Sequence, residues 1–122
     1  GLPNKMSDFE SLFQGVRELN QRLDEWARLA PSPFRPTDVI RTDIKLEKVS
    51  VYNILYLRYA YYGTVACLNS SLIQPYANMN LEGEHNRLYR DQIQQSWELA
   101  VEASRAMIKY TKYANVDCGC PV

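Results

Sequence analysis

Apolar side chains recur every three or four positions in the first part of the chain, which is the spacing of one face of an α-helix. The positions are Phe9, Leu12, Phe13, Val16, Leu19, Leu23, Trp26 and Ala30. Ser7 and Glu10 have the spacing of a capping box, and Pro31 disfavours helical geometry in the residue before it. The pattern predicts a first helix over about 7–30, followed by an extended connector that contains Pro31, Pro33 and Pro36.

A similar pattern near the C-terminal end predicts a helix over about 84–114. Its expected apolar face is Leu88, Tyr89, Ile93, Trp97, Ala100, Val101, Ser104, Met107, Ile108 and Thr111. Charged residues occupy most of the remaining positions, and basic residues gather near the end, where they suit the helix macrodipole.

The middle of the chain has no polar face. From Val49 to Leu81 the only formal charge is Arg58. We expect a helix over about 44–74, ended by Pro75, with neighbours covering it because apolar residues surround it. Its β-branched and aromatic content leaves a strand over 49–57 as an alternative. Its asparagine, serine and glutamine residues are too many for a membrane span, so we expect no membrane contact.

Short connections between long helices favour antiparallel neighbours. The expected fold class is therefore all-α, an elongated antiparallel bundle of three long helices that forms a single domain over 1–122. Two companions cannot cover a helix that is apolar all round. We therefore expect the chain to be a fragment of a larger helical domain that, alone, hides this surface by self-association.

Composition narrows the function classes. The 14 basic and 14 acidic residues balance, so we expect no direct nucleic-acid contact from this chain. Three cysteines without an even framework argue against a secreted disulfide scaffold and favour an intracellular, reducing compartment. Cys67 lies in an apolar run and is expected to be buried.

Candidate chemistry is sparse. Cys118 and Cys120 could be half of a zinc site, but the other soft ligands, Cys67 and His85, stand in no paired motif. His85 has no nucleophile motif beside it and is expected to be exposed at a helix start. There is no glycine-rich phosphate loop and no paired-carboxylate signature. We predict no metal site, no cofactor, no catalytic residue and no enzymatic activity.

Nine tyrosines are the most distinctive feature of the composition, and five fall on the second helix: Tyr52, Tyr56, Tyr59, Tyr61 and Tyr62. They could line a small-molecule pocket with polar anchors, or form a core whose hydroxyls reach water or backbone groups; we favour the core. Arg58 needs a partner there, and Glu98 or Glu102 is a candidate. The candidate ligand or partner contacts are Asn53, Arg58, Tyr59, Tyr62 and Asn69.

Several segments resemble the fungal-specific transcription factor domain, the middle homology region of fungal zinc-cluster regulators. The clearest is Arg58–Tyr76, with its Tyr-Tyr-Gly-Thr stretch and final Pro-aromatic pair. Tyr89–Ile93 and Val101–Tyr113 are similar to the family's Glu-Ala-Ala-Arg helix, and Leu23–Trp26 is similar to its Leu-x-x-Trp helix. The resemblance covers roughly Leu19–Val122.

Two departures limit what the resemblance implies. The six-cysteine DNA-binding module is absent, and Asn69-Ser70-Ser71 replaces the usual His-Arg-Pro segment. The resemblance implies a nuclear, non-catalytic helical fragment that regulates transcription through protein–protein contact or effector sensing. The alternative left open is a free-standing helical domain that binds a small molecule in an aromatic pocket.

Overall fold

The structure, a computed structural model, describes residues 2–32, 34–39, 48–73, 75 and 80–117. Three long helices account for most of them: α1 (Leu2–Leu29), α2 (Lys48–Ser70) and α3 (Arg87–Asp117). One 3-10 turn, Glu84–Asn86, leads into α3. These described ranges contain no strand, so the all-α prediction is confirmed and the strand alternative over 49–57 is wrong.

The helix ends differ in part from the predicted ones. α1 begins at Leu2, so the box at Ser7 does not start it; Pro3 is compatible with a first turn, where its missing N–H has no helical partner anyway. α1 ends at Leu29, close to the predicted end. The predicted start of α2 at 44 lies outside the described residues.

α2 and α3 also end elsewhere than predicted. α2 ends at Ser70, not at Gln74, which itself lies outside the described residues. The backbone N–H and hydroxyl of Ser71 both donate to the Leu68 carbonyl, which closes the last turn. α3 continues to Asp117, three residues past the predicted end.

The three helices run up, down and up. Asn20 meets Asn69 and Trp26 meets Tyr61, so α1 and α2 are antiparallel. Likewise α2 and α3 are antiparallel, because early α2 residues meet late α3 residues: Arg58 with Tyr110, Tyr59 with Thr111 and Gly63 with Met107. The predicted bundle is confirmed, and α1 and α3 consequently run in the same direction.

An aromatic cluster joins the first half of α1 to the start of α3. The Phe9 and Phe13 rings lie edge to face with centroids 4.5 Å apart, and the Tyr89 ring lies 4.9 Å from Phe13. Leu72, Leu81 and Ile93 complete this core. Burying each such side chain contributes about 1.5–3 kcal/mol, so this cluster stabilises the contact between α1 and the start of α3.

The buried face of α3 agrees only in part with the predicted one. Of the predicted residues, Ile93 and Ala100 are buried, but Trp97 and Ile108 are 51% and 59% exposed. Leu88, Ser104 and Thr111 are exposed as well. Ser96 and Ala103, which the pattern did not place on this face, are buried. Small side chains let α2 approach closely, and the close approach turns the bulkier residues to the side.

One flank of α2 faces solvent, so the expectation that neighbours cover this helix on all sides is wrong for the described chain. The exposed residues of α2 are Tyr52, Asn53, Tyr56, Ala60, Thr64, Cys67 and Ser70. Cys67 is therefore not the buried thiol that the apolar run predicts. Apart from Tyr52 and Tyr56, these residues are small or polar, and leaving such residues uncovered by the two neighbouring helices costs little.

The predicted face of α1 holds only in its first half. Phe9, Phe13 and Val16 are buried, but Leu19 and Trp26 are 46% and 47% exposed. Towards its C-terminal end, α1 instead buries Ala27, whose small side chain lies in the interior.

Candidate functional site

Arg58 is the most deeply buried charged group in the described chain, with 1% of the residue exposed. Its Nη1 donates to the Pro36 carbonyl at 2.6 Å, to the Asp38 carbonyl, and to the Tyr110 hydroxyl at 3.1 Å. Its guanidinium carbon also lies 5.4 Å from the centroid of the Tyr110 ring, within cation–π range. Arg58 thus fastens the connector to both α2 and α3.

The partner predicted for Arg58 was wrong. Glu98 and Glu102 are both exposed, and the guanidinium bonds to backbone carbonyls and a phenol. The Nε of Arg58 is buried without a hydrogen-bond partner in the described part of the chain. An arginine in this setting holds a loop in place, because carbonyl oxygens with partial negative charge take the role that a carboxylate would otherwise have.

The connector presents these carbonyls because its own turns fix it. The Phe34 N–H donates to the Pro31 carbonyl at 2.8 Å, and the Asp38 N–H donates to the Arg35 carbonyl at 3.2 Å. Arg35 Nε donates to the Ala30 carbonyl at 3.0 Å, at the end of α1. Consecutive turns therefore direct the Pro36 and Asp38 carbonyls inwards, and Pro36 itself is fully buried.

Tyr62 lies beside Arg58 and shares its acceptor. Its hydroxyl donates to the Pro36 carbonyl at 3.2 Å, and its ring centroid lies 5.9 Å from that of Tyr110. Burial raises the pKa of Tyr62 to about 12; the hydroxyls of Tyr110 and Tyr61 act in the same direction, and Arg58 opposes them. The phenol is therefore a neutral hydrogen-bond donor at ordinary pH.

A second aromatic contact continues towards α1. The Tyr61 ring stacks on Trp26 with centroids 6.1 Å apart and meets the Tyr62 ring edge to face at 4.9 Å. Burial raises the pKa of Tyr61, and the Asp24 carboxylate adds to the effect. These rings form a connected layer between helices. The core interpretation holds only in part, because Tyr59, Tyr61 and Tyr62 are partly buried but Tyr52 and Tyr56 are 40% and 74% exposed.

The five predicted contact residues do not form one site. Arg58 and Tyr62 meet at the connector, and the Tyr59 hydroxyl bonds the Thr111 hydroxyl on α3. Asn69 lies eleven positions beyond Arg58, roughly 16 Å along the helix, and bonds Asn20 of α1. Asn53 is on the exposed flank. All but Asn53 make internal bonds that hold helices or the connector together.

A groove that sequence reasoning missed lies between α1 and α2. It has a volume of about 210 Å³ and is lined by Leu19, Arg22, Leu23, Thr64 and Leu68. None of the predicted contact residues lines it. The signal in the sequence is that Leu19 and Leu23 stand one turn apart on the predicted apolar face of α1.

The described part of the chain offers no metal-binding cluster. No three histidine, cysteine or acidic side chains in the described ranges come close enough to hold a metal ion. His85 is exposed in the 3-10 turn, with its Nε2 3.3 Å from the Asn86 amide nitrogen. Cys118 and Cys120 lie outside the described residues. Among the helices that the structure describes, none is long and apolar enough to cross a membrane.

No family model, no curated protein and no solved structure matches this chain. The resemblance to the fungal-specific transcription factor domain therefore remains a prediction that depends on the sequence motifs given above.

Proposed function

We propose that this chain is a non-catalytic helical domain that acts in the nucleus through protein–protein contact, in the manner of the middle region of fungal zinc-cluster transcription regulators. Its task is to transmit a regulatory state by binding protein, either another regulator or a further copy of itself. An effector that acts on it would do so by changing this contact.

The observation that carries the proposal is the solvent-facing side of α3. Trp97 is 51% exposed and Ile108 59%, and they lie on the same side of the helix because eleven residues, about three turns, separate them; Ala100 and Ala103 are buried. The partly exposed Val101 lies between them on that side, and such a row of apolar residues along one helix face is typical of an interaction surface. Tryptophan in particular is enriched in the centre of protein interfaces.

The small-molecule alternative receives less support from the geometry. Arg58, the expected polar anchor, donates to the Pro36 carbonyl and to the Tyr110 hydroxyl and is closed off from solvent. The groove between α1 and α2, at about 210 Å³, is smaller than the roughly 300–1,000 Å³ of usual ligand sites. Neither place offers a cavity in which an aromatic wall and a free cation meet.

A reporter assay in fungal cells tests the proposal. The chain is placed between a heterologous DNA-binding module and an activation segment, and reporter output is compared with a fusion that carries a flexible linker instead. We expect the chain to change the output and Trp97→Glu to remove that change, while the conservative exposed variant Thr64→Ser keeps it. Equal output from chain and linker, at equal nuclear protein levels, overturns the proposal.

A further inference from the structure

A seam of exposed and partly exposed residues runs along α3 beside its buried face. Its central members are Trp97, Val101, Ser104 and Ile108, spaced by four, three and four residues. Gln94 and Thr111 extend the same spacing at either end. This alternation of three and four is the heptad spacing by which two helices meet along a shared line of contact. The large members, Trp97 and Ile108, are more than half exposed.

The seam is symmetric about its middle. Trp97 and Ile108 stand equally far on either side of the point between Glu102 and Ala103, and so do Val101 and Ser104. An antiparallel copy of α3 centred on this point would place each Trp97 against an Ile108. It would also place each Val101 against a Ser104, whose small side chains allow the two helices to approach closely in the centre.

Charged residues follow one edge of the seam at intervals of seven: Asp91, Glu98, Arg105 and Lys112. All four are exposed. The acidic pair precedes the middle and the basic pair follows it, so an antiparallel copy would set Glu98 opposite Arg105 and Asp91 opposite Lys112. The same pairing would recur on the other side of the twofold axis, which gives four attractive contacts in all.

A parallel copy offers no such match. In a parallel pair the edge residues would face the other edge of the seam, which consists of Ala100 and Met107. Those two are uncharged and lie on the side of α3 that is turned towards α2, where Met107 meets Gly63. The distribution of charge therefore selects one orientation.

We propose that the partner of this surface is a second copy of the chain, bound in an antiparallel arrangement through α3. This inference rests on the proposed function and names the partner of the same surface. Trp97 and Ile108 supply the apolar contact, and the edge charges set direction and register. Among the described residues, the contacts of these edge groups are exposed, with Arg87 3.9 Å from Asp91 and Gln94 3.2 Å from Glu98. Such contacts are easily exchanged for partners on a second copy.

The test uses two charge-reversed variants of the full chain. One carries Asp91→Lys and Glu98→Lys, so that all four edge residues are basic; the other carries Arg105→Glu and Lys112→Glu, so that all four are acidic. Sedimentation equilibrium is measured for each variant, for their equimolar mixture and for the unchanged chain. Circular dichroism checks that each variant keeps its helix content, which we expect because the residues are exposed.

We expect the unchanged chain to form dimers, each reversed variant to self-associate at least about tenfold more weakly (~1.4 kcal/mol), and the mixture to recover a heterodimer. Trp97→Glu should abolish association in every combination. An unchanged chain that stays monomeric at millimolar concentration overturns the inference. So do variants that associate as well as the unchanged chain, or a mixture that stays as weak as its components.

The proposed function and the proposed antiparallel dimer can be contradicted independently of each other. A monomeric chain that still changes reporter output retains the interaction function with a different partner. A chain that dimerises as described but leaves reporter output equal to that of the linker retains the antiparallel contact and loses the regulatory function.

Discussion

The side-chain amides of Asn20 and Asn69 hydrogen-bond each other in both directions, with Nδ2–Oδ1 distances of 2.8 and 2.9 Å. The Nδ2 of Asn69 also donates to the Val65 carbonyl at 2.8 Å, so this fully buried side chain is bonded at both ends. A slip of α1 along α2 would break the pair and leave a buried amide unpaired, which is costly. The pair therefore fixes the register of the two helices.

We predict that Asn69→Ala lowers the free energy of unfolding by about 1–3 kcal/mol, because the Asn20 amide loses its partner. Urea denaturation measures the change. Asn53→Ala, on the exposed flank of the same helix, is the matched control and should change stability by less than about 0.5 kcal/mol. In a double-mutant cycle with Asn20→Ala, the double variant should lose less stability than the sum of the two single losses. Strictly additive losses would show that the two amides do not interact.

Arg58→Met should lower the free energy of unfolding by about 2–4 kcal/mol, because the Pro36 and Asp38 carbonyls lose a charged donor inside the protein. Arg58→Lys should recover only part of the loss, since one ammonium cannot reproduce the planar guanidinium. Thermal unfolding gives the comparison. Arg28→Met is the control, because Arg28 pairs with Asp24 at 3.4 Å with about 68% of its side chain exposed.

The result for Arg58→Met also distinguishes a structural role of Arg58 from a role as the anchor of a small-molecule ligand. If Arg58→Met is as stable as Arg28→Met, Arg58 does not hold the connector, and its role as a ligand anchor gains support. A large loss of stability means that the guanidinium is structural.

Two glycines should respond to alanine in opposite directions. Gly83 has a positive φ of 96°, and a Cβ there would come within 3.1 Å of the His85 ring. We expect Gly83→Ala to destabilise the chain by about 1–2 kcal/mol. Gly15 lies within α1 with nothing within 4 Å of an added Cβ, so Gly15→Ala should stabilise it by roughly 0.5–1 kcal/mol. Denaturant unfolding measures both changes in stability, provided that the dependence of the unfolding free energy on denaturant concentration is the same for each variant. If both substitutions stabilise the chain, or both destabilise it, these backbone assignments are wrong.

The Tyr62 phenol predicts a pH dependence at the alkaline end. The folded chain raises its pKa from about 10 to about 12, so the fold favours the neutral hydroxyl. Its contribution to stability is therefore complete below pH 10 and is lost as the pH rises towards 12. Tyr62→Phe removes the ionisation, and its stability should fall less steeply than that of the unchanged chain between pH 10 and 12. Parallel curves in pH-dependent urea unfolding would refute the assignment.

The helices could be predicted because their signals are local. Three- and four-residue spacing identified α1 and α3, and Pro31 marked the end of α1 almost to the residue. The start of α1 could not be placed in the same way. Ser7 and Glu10 form a capping box by spacing, yet the helix continues back to Leu2, because Pro3 favours a first turn just as well.

The faces of the helices were harder to predict than the helices themselves. Periodicity selects bulky apolar residues such as Trp97 and Ile108, but the distance between two packed helices decides which residues fit. The pattern includes Ala100, which is buried, but it omits Ser96 and Ala103, which are buried as well, because periodicity alone does not distinguish one small residue from another.

The partners of Arg58 could not be inferred from the sequence, because they are not side chains. A charge in an apolar run suggests a carboxylate partner, and the sequence contains several. The actual acceptors, the Pro36 and Asp38 carbonyls, exist for Arg58 only once the connector has folded back over α2. Every residue carries a backbone carbonyl, so the amino-acid type does not indicate which carbonyls will accept a hydrogen bond from Arg58.

The shared direction of α1 and α3 has a mechanical consequence. The start of α1 and the end of α3 lie at opposite ends of the bundle, about 45 Å apart. Tension applied between those points acts along the helix axes, so α2 must slide against both neighbours at once. This force acts in shear on the amide pair of Asn20 and Asn69 and on the hydrogen bonds of Arg58. The contacts along the bundle therefore resist the force together, whereas a hairpin of two helices would separate one turn at a time.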